Sequence, residues 1–182
     1  MSTSPVQQDI FGVLAPFIQA VTANTATPLT TAEDQILQGL GNRLADPPGL
    51  PGFCVMTIIG MRRLRTNIDT WATVGDPTSI SSEMGAEIRV QVDFYGPTAQ
   101  DWAAAFMTQF RDDIGVQALA PTCAPLYADD ARMVPLEDTE DQYEQRWLVE
   151  AVLQYNPVTT NAQQFADALT VTDVNVDEAF PP

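Results

Sequence analysis

The sequence predicts an α+β fold in which two helices pack on one face of an about four-stranded, mainly antiparallel sheet. Two observations lead to this fold class. Apolar and polar residues alternate over 87–94 and 145–155, as in strands with one buried face, and two other segments carry apolar residues at helical spacing. A chain of 182 residues is long enough for one core and too short for two. We therefore expect residues 1–182 to form a single domain.

The first helix is predicted to begin at Ser4, a favourable N-cap, with Pro5 in the first helical position and Gln7 completing a capping box. Apolar residues then recur at helical spacing, at Ile10, Val13, Leu14, Phe17 and Val21. This pattern predicts an amphipathic helix that ends near Asn24, with Pro16 as a candidate for a kink.

Residues 25–52 are rich in Pro and Gly around one short apolar piece at 36–40. Such a stretch is uncommon inside a compact domain and often has an interaction role. We interpret it as a loop-rich arm, with room for a short strand, that clasps a neighbouring subunit; a plain long loop is the alternative. The Gly-containing piece 39–42 is not a phosphate-binding loop, because the lysine of that motif is missing.

Residues 53–67 predict a strand that is apolar at first and exposed at its end, where Arg62, Arg63 and Arg65 form the only basic cluster that the pattern shows. Strand alternation sends Arg63 and Arg65 to one side and Arg62 to the other. Three roles remain open for them: surface charges on an edge, pairs with carboxylates of an adjacent subunit, or contacts with DNA. These arginines are our candidate subunit-interface residues.

A loop is predicted at 75–82, and the clearest strand follows, with Ile88, Val90, Val92 and Phe94 on one face. Gly96 and Pro97 stop this strand, and Thr98 opens the second helix. The apolar stripe of that helix is expected to lie across the sheet and comprises Ala99, Trp102, Ala103, Phe106, Met107, Phe110 and Ile114.

The last third of the chain is predicted to begin with a loop that contains Pro121, Pro125 and Pro135. The strand at 145–155 follows, with one apolar side formed by Trp147, Val149, Ala151, Leu153 and Tyr155. A short strand at 169–176 and a Pro-terminated tail at 177–182 complete the prediction.

The charge balance argues against nucleic-acid binding. All eight basic residues are Arg, against 24 acidic residues, and the formal net charge is −16. Phosphate binding needs concentrated positive charge, so this surface repels nucleic acid and anionic membrane faces. We expect that DNA passing nearby would not be gripped.

The residue types present exclude many catalytic and cofactor sites. The absence of His removes the commonest general base and every His-containing zinc site. Cys54 and Cys123 are too few for a disulfide framework or a four-Cys metal site, and we expect both to be free thiols in a protein assembled in the cytosol. No secretory signal and no apolar stretch of membrane-spanning length is seen. We predict no cofactor and a soluble, non-enzymatic protein.

Two features of the sequence could still form a functional site, one for a cation and one for nucleic-acid bases. The acidic residues between Asp129 and Glu144 are the best candidate for a cation site, but they lack the spacing of a calcium-binding loop, and a solvated loop is the favoured interpretation. The three Trp residues could stack on bases, but core packing is favoured because Trp102 and Trp147 lie on core-facing stripes.

A set of short segments in the second half of the chain, with one piece near residue 42, carries a resemblance to a known family. The strongest segment is Gln91-Val92-Asp93-Phe94-Tyr95-Gly96-Pro97, followed by Ala99, Asp101, Ala103 and the helix end Phe110-Arg111-Asp112. Further pieces agree in order and approximate spacing: Asn42-Arg43, Pro125-Leu126-Tyr127-Ala128, Gln142-Tyr143-Glu144, Arg146-Trp147 and Gln154-Tyr155-Asn156-Pro157. With these segments the chain resembles the neck (tail) terminator proteins of long-tailed phages. The similarity covers roughly residues 35–178 and contains no catalytic signature.

The resemblance implies a structural protein of the virion, assembled in the host cytoplasm. By this resemblance we expect a ring, as in the terminator family, usually of six subunits. Such a ring caps the completed tail tube and joins it to the head-side connector or collar. The implied partners are copies of the chain itself, the tail tube protein and the connector proteins. The net charge of −16 per subunit adds the expectation that the channel of such a ring is acidic, so that genomic DNA passes through it without specific binding. We expect no membrane partner.

Three alternatives remain open from the sequence. One is another neck component, such as a collar or head-completion subunit. A second is a hydrolase that uses a pair of carboxylates, although almost any two of the 24 acidic residues could be drawn as such a pair. The third is a free-standing adaptor or inhibitor that binds a basic partner.

Overall fold

The computed structural model describes residues 5–30, 35–39, 52–71, 79–137 and 143–162. Its helices are α1 (Pro5–Thr22), α2 (Ala99–Gln109) and α3 (Asp113–Leu119). Its strands are β1 (Ile36–Gln38), β2 (Phe53–Arg63), β3 (Ile68–Trp71), β4 (Ser79–Glu83), β5 (Ala86–Tyr95), β6 (Cys123–Ala128), β7 (Arg132–Met133), β8 (Leu136–Glu137), β9 (Tyr143–Glu144), β10 (Arg146–Tyr155) and β11 (Val158–Ala162).

The main sheet has the strand order β1-β2-β5-β10-β6, with β7 also paired to β10. The pairs formed by β2, β5, β10, β6 and β7 are antiparallel, and β1 joins the edge of β2 in parallel. The predicted α+β fold with a mainly antiparallel sheet is therefore confirmed. The short strand that we allowed in the arm is β1.

One face of this sheet carries the core. The alternation predicted in β5 and β10 is confirmed, because the alternate residues from Ile88 to Phe94 and from Val149 to Tyr155 are buried under the helices. Aromatic side chains fill the space between helices and sheet. The Phe17 and Phe106 rings meet edge to face with their centroids 5.7 Å apart. Trp102 is fully buried, and its indole N–H donates to the Thr27 carbonyl at 2.7 Å.

The second predicted helix is in fact two. α2 ends at Gln109 and α3 begins at Asp113, after Asp112 adopts an extended backbone with φ −75 and ψ 169. Ile114, which the helical spacing placed in the core, lies on α3 with a side chain that is 54% exposed. The described residues therefore contain three helices where the sequence predicted two. A residue with extended backbone interrupts the helical hydrogen bonds, which is why the apolar spacing alone overran the break.

A strand also occupies part of the predicted 121–135 loop. β6 contains Cys123 and Pro125 and pairs with β10 at the sheet edge. Proline is tolerated there because an edge strand leaves one row of backbone groups unpaired, and the register shift between Val152 and Leu153 accommodates the irregularity. The proline content alone pointed to a loop.

The predicted strand at 53–67 is divided as well. β2 ends at Arg63, Arg65 lies in the following turn, and β3 resumes at Ile68. β4 likewise occupies 79–83, inside the predicted 75–82 loop. Several predictions fall outside the described residues: the Ser4 cap, most of the 25–52 arm, the strand at 169–176, the tail at 177–182 and the middle of the acidic segment.

Candidate interaction surface

A second sheet with the order β11-β4-β3 extends from the main sheet, and we call it the ribbon. Along the chain, β3 follows β2, β4 precedes β5, and β11 follows β10, each after a short connection. The ribbon strands therefore lie in the same lateral order as the main-sheet strands that they adjoin. Every residue of β3 and β11 is exposed. The ribbon therefore presents backbone and side chains to the surroundings on both of its outer strands.

Large apolar side chains are exposed along the ribbon and the adjoining end of β2. They are Ile59, Met61, Leu64, Ile68, Trp71 and Val158, each between 45% and 59% exposed. Scattered apolar residues are normal on a protein surface, but several along one exposed sheet are typical of an interaction site. The periodicity of the sequence did not identify these exposed apolar residues, because helical or strand periodicity indicates only which residues face a core.

The three candidate arginines lie where β2 passes into the ribbon. Arg62 donates to Glu87 at 2.7 Å, and Arg65 forms an ion pair with Glu83. Arg63 is exposed and forms no ion pair within the part of the chain that the structure describes. The structure thus brings the three side chains to one junction and gives two of them partners in their own chain. Their role at a subunit interface stays a prediction.

The face of the main sheet opposite the helices is built from ion pairs. Asp93 on β5 accepts hydrogen bonds from Arg146 on β10, at 2.9 and 3.0 Å, and from Gln91 at 2.7 Å. Glu87 is buried between Arg62 and Arg89. Each pair joins groups of opposite charge, so much of the positive charge of the chain is neutralised by carboxylates of the same subunit.

Aromatic stacking adds to this outer face. The Phe53 and Tyr95 rings stack with their centroids 4.5 Å apart, and the Arg146 guanidinium lies 5.7 Å from the centre of the Tyr95 ring. These three residues occupy facing positions on β2, β5 and β10. The contacts among these three side chains connect three strands that are far apart in sequence.

The segments that carry the family resemblance meet in this region. Tyr95 pairs with Arg146 and Phe94 with Trp147 across β5 and β10, while Tyr127 on β6 faces Val152 on the other side of β10. Asn42 and Arg43 lie outside the described residues. The resemblance therefore rests on residues that build the centre of the sheet.

The titratable groups near a cleft beside α1 offer little chemistry. This cleft of about 590 Å³ lies between α1 and the start of β11, and Asp9 and Tyr155 line it. The Tyr155 hydroxyl donates to Asp9 at 2.5 Å. Burial, together with the hydrogen bond and the charge of Asp9, raises the pKa of Tyr155 to about 12. Tyr155 therefore keeps its proton at neutral pH and offers no base.

Both cysteines are free, as the sequence predicted, and the structure buries both. Burial raises the pKa of Cys123 to about 11, and burial with the nearby charge of Asp93 raises the pKa of Cys54 well above its usual value. Neutral thiols are poor nucleophiles. Among the described residues, no group of three or more Cys, Asp or Glu side chains is placed to hold a metal ion.

Trp102 and Trp147 pack in or against the core, whereas Trp71 is exposed on β3, so core packing holds for two of the three. No helix among the described residues is long and apolar enough to cross a membrane.

Comparison with known proteins gives one family. The family model described as "Phage neck terminator protein" matches residues 8–179, nearly the whole chain. No curated protein matches the sequence significantly. The matched region includes both the ion-paired centre of the sheet and the ribbon. The chain belongs to the phage neck terminator protein family.

Proposed function

We propose that this protein is a subunit of a ring of six copies that ends the tail tube and joins it to the head-side connector of the phage. The observation that carries the proposal is the family match over residues 8–179. The family makes the chain a structural protein of the phage neck, and so a component of the virion. The ring, its subunit number and its neighbours go beyond that match.

The exposed ribbon supports the oligomeric part of the proposal. A surface that keeps Ile68 and Val158 about half exposed gains stability when another protein covers it. The junction that carries Arg62, Arg63 and Arg65 adjoins this surface. We infer that this junction also lies at the subunit interface and that Arg63 pairs with a carboxylate of the next subunit.

The charge distribution supports an acidic channel for DNA. Five of the eight arginines, at positions 62, 65, 89, 132 and 146, pair with carboxylates of their own chain. Arginines held in this way are poorly placed to grip phosphates, and unpaired acidic residues remain in excess. A duplex would be repelled from such a wall and could slide past without the contacts that make binding strong and salt-dependent.

Electron microscopy of phage particles made without this protein tests the terminator role. Loss of a terminator should give tails of uncontrolled length beside intact heads. Tails of normal length beside heads that have lost their DNA would instead assign the protein to the head side of the neck, as a collar or head-completion subunit. Mass measurement of the assembled protein tests the ring, for which six copies are expected.

A further inference from the structure

We propose that neighbouring subunits join through the two outer edges of the ribbon, with β3 of one copy adding as a parallel strand to β11 of the next. This inference rests on the proposed ring and assigns its contact. Within the described residues β3 and β11 each pair only with β4, so among these residues no strand lies against the outer edge of either strand. Such edges are templates for strand addition from another chain.

The composition of β11 favours pairing. Its sequence from Val158 to Ala162 contains no charged residue, in a chain with 32 charged residues, and three of its five residues are β-branched. Proteins that keep an edge strand free protect it with charges, prolines or bulges. β11 has none of these within its length, although it is exposed throughout. A strand of this kind is suited to a permanent partner.

Ring symmetry fixes the direction of the pairing. β3 and β11 run in the same direction within one ribbon, because each is antiparallel to β4. Neighbours in a six-membered ring differ by a rotation of about 60°, which cannot reverse a strand direction. The added strand must therefore be parallel. A two-fold contact would instead pair β3 with β3, or β11 with β11, in antiparallel fashion.

Compatible side chains occupy equivalent register positions on the two edge strands, β3 and β11. Ile68 and Val158 both face Glu83 of β4 on one side of the ribbon, and Thr70 and Thr160 both face Ser81. If the ribbon continues into the next copy in this register, Val158 of one copy lies beside Ile68 of the next. An apolar pair and a Thr–Thr pair then form on that side.

The other side of the ribbon agrees with the same register. Asp69 accepts a hydrogen bond from Ser82 at 2.6 Å within the chain, and it would lie beside the Thr159 hydroxyl of the next copy. A two-fold contact between β3 strands would bring two Asp69 carboxylates close together in a strand of four residues, which is unfavourable. The geometry thus favours the β3–β11 contact over a β3–β3 contact.

Disulfide trapping tests this contact in the full-length protein. In the variant with Thr70→Cys and Thr160→Cys, mild oxidation of the assembled protein should give a ladder of covalent oligomers up to the ring. Within one chain the two thiols are separated by β4, about 10 Å apart, which is too far for a disulfide. The native thiols are buried and should not take part. The matched control, Asp69→Cys with Thr160→Cys, places the thiols on opposite sides and should stay uncrosslinked.

Each outcome has a distinct meaning. The ladder in the test variant and its absence in the control support the β3–β11 contact. A ring of the expected mass without the ladder overturns this contact and leaves the proposed function standing. Covalent dimers from Thr70→Cys alone, or from Thr160→Cys alone, overturn it in favour of a two-fold contact. Failure of the unmodified protein to form any ring overturns the proposed function, and with it this contact.

A charge variant provides a second readout. Thr160→Lys places a charge on the proposed joint and should raise the protein concentration needed for assembly by on the order of tenfold, with an unchanged unfolding temperature. Gln117→Lys adds the same charge to the exposed surface of α3 and should assemble normally. Equal assembly of the two variants would contradict the contact.

Discussion

Arg146 on β10 and the buried Asp93 on β5 form a partly buried ion pair between the two central strands of the sheet, with both contacts to one carboxylate oxygen at 2.9 and 3.0 Å. Gln91 donates to the other oxygen, so both Asp93 oxygens have donors. The Asp93 side chain is only 4% exposed. The pair joins two segments that the family resemblance had identified, and it gives them a structural role.

Replacing Arg146 by Ala should therefore lower the free energy of unfolding by about 3–5 kcal/mol, because it leaves the Asp93 carboxylate buried without its cation. Urea denaturation measures the loss. The matched control is Arg132→Ala, since Arg132 lies on the surface 3.4 Å from Glu150 and its loss should cost less than about 1 kcal/mol. Equal effects of the two substitutions would show that the Asp93 pair is not a stabilising element.

Two glycines should respond to alanine in opposite directions. Gly52 has φ +132, and an added Cβ would meet the Tyr95 carbonyl oxygen at 2.1 Å, so Gly52→Ala should destabilise the protein by more than about 1 kcal/mol. Gly12 lies in α1, and its added Cβ would meet nothing within 4 Å. Gly12→Ala should stabilise by about 0.5–1 kcal/mol through helix propensity. Thermal unfolding of both variants checks the two signs.

The stability of the protein should fall as the pH rises from about 10 to about 12. The folded state holds the Tyr155 proton with a pKa of about 12, against an ordinary value of 10.0. The full contribution is therefore present below pH 10, and it is lost as the pH rises through the folded pKa. The absence of Lys leaves few other groups to titrate in this range.

Urea denaturation at pH 9, 10 and 11 measures this dependence. Tyr155→Phe is the control, because it removes the titrating hydroxyl and should flatten the curve. Some slope should remain, since the pKa of Cys123 is also raised, to about 11. A Tyr155→Phe profile identical to that of the unmodified protein would contradict the assignment.

Arg63→Ala should weaken assembly more at low salt than at high salt, because salt already screens an exposed ion pair between subunits. The effect should be a several-fold rise in the assembly concentration at low salt. Sedimentation at two salt concentrations measures it. Arg111→Ala removes the same charge from the exposed turn before α3 and should have no effect. Unchanged assembly of the Arg63 variant at both salt concentrations would remove Arg63 from the interface.

The elements with strict periodicity were predictable from the sequence. β5, β10, α1 and α2 lie close to their predicted positions because the backbone geometry of a strand or helix fixes which side chains share a face. The sequence did not predict elements whose residues are untypical of the secondary structure that they adopt, or whose boundaries the apolar spacing does not mark. β6 contains Pro125, β4 consists mostly of Ser, and α3 follows a break that apolar spacing does not reveal.

The candidate surface was predictable only in part. The sequence singled out the arginine cluster, whose role at a subunit interface stays a prediction, but it could not show that Arg62 and Arg65 have partners in their own chain. The ribbon had no signal in the sequence, because its strands are short and exposed and do not alternate between polar and apolar faces.

The sequence by itself determined the α+β class, the buried faces of the two central strands, the acidic charge and the resemblance that the family match later confirmed. These follow from local spacing and composition, which need no knowledge of distant contacts. Only the tertiary structure decided that Asp93 meets Arg146, 53 residues away, and that the strands next to β2, β5 and β10 in sequence form one ribbon. Pairing between distant strands depends on which edges the fold brings together, and local periodicity carries no information about that choice.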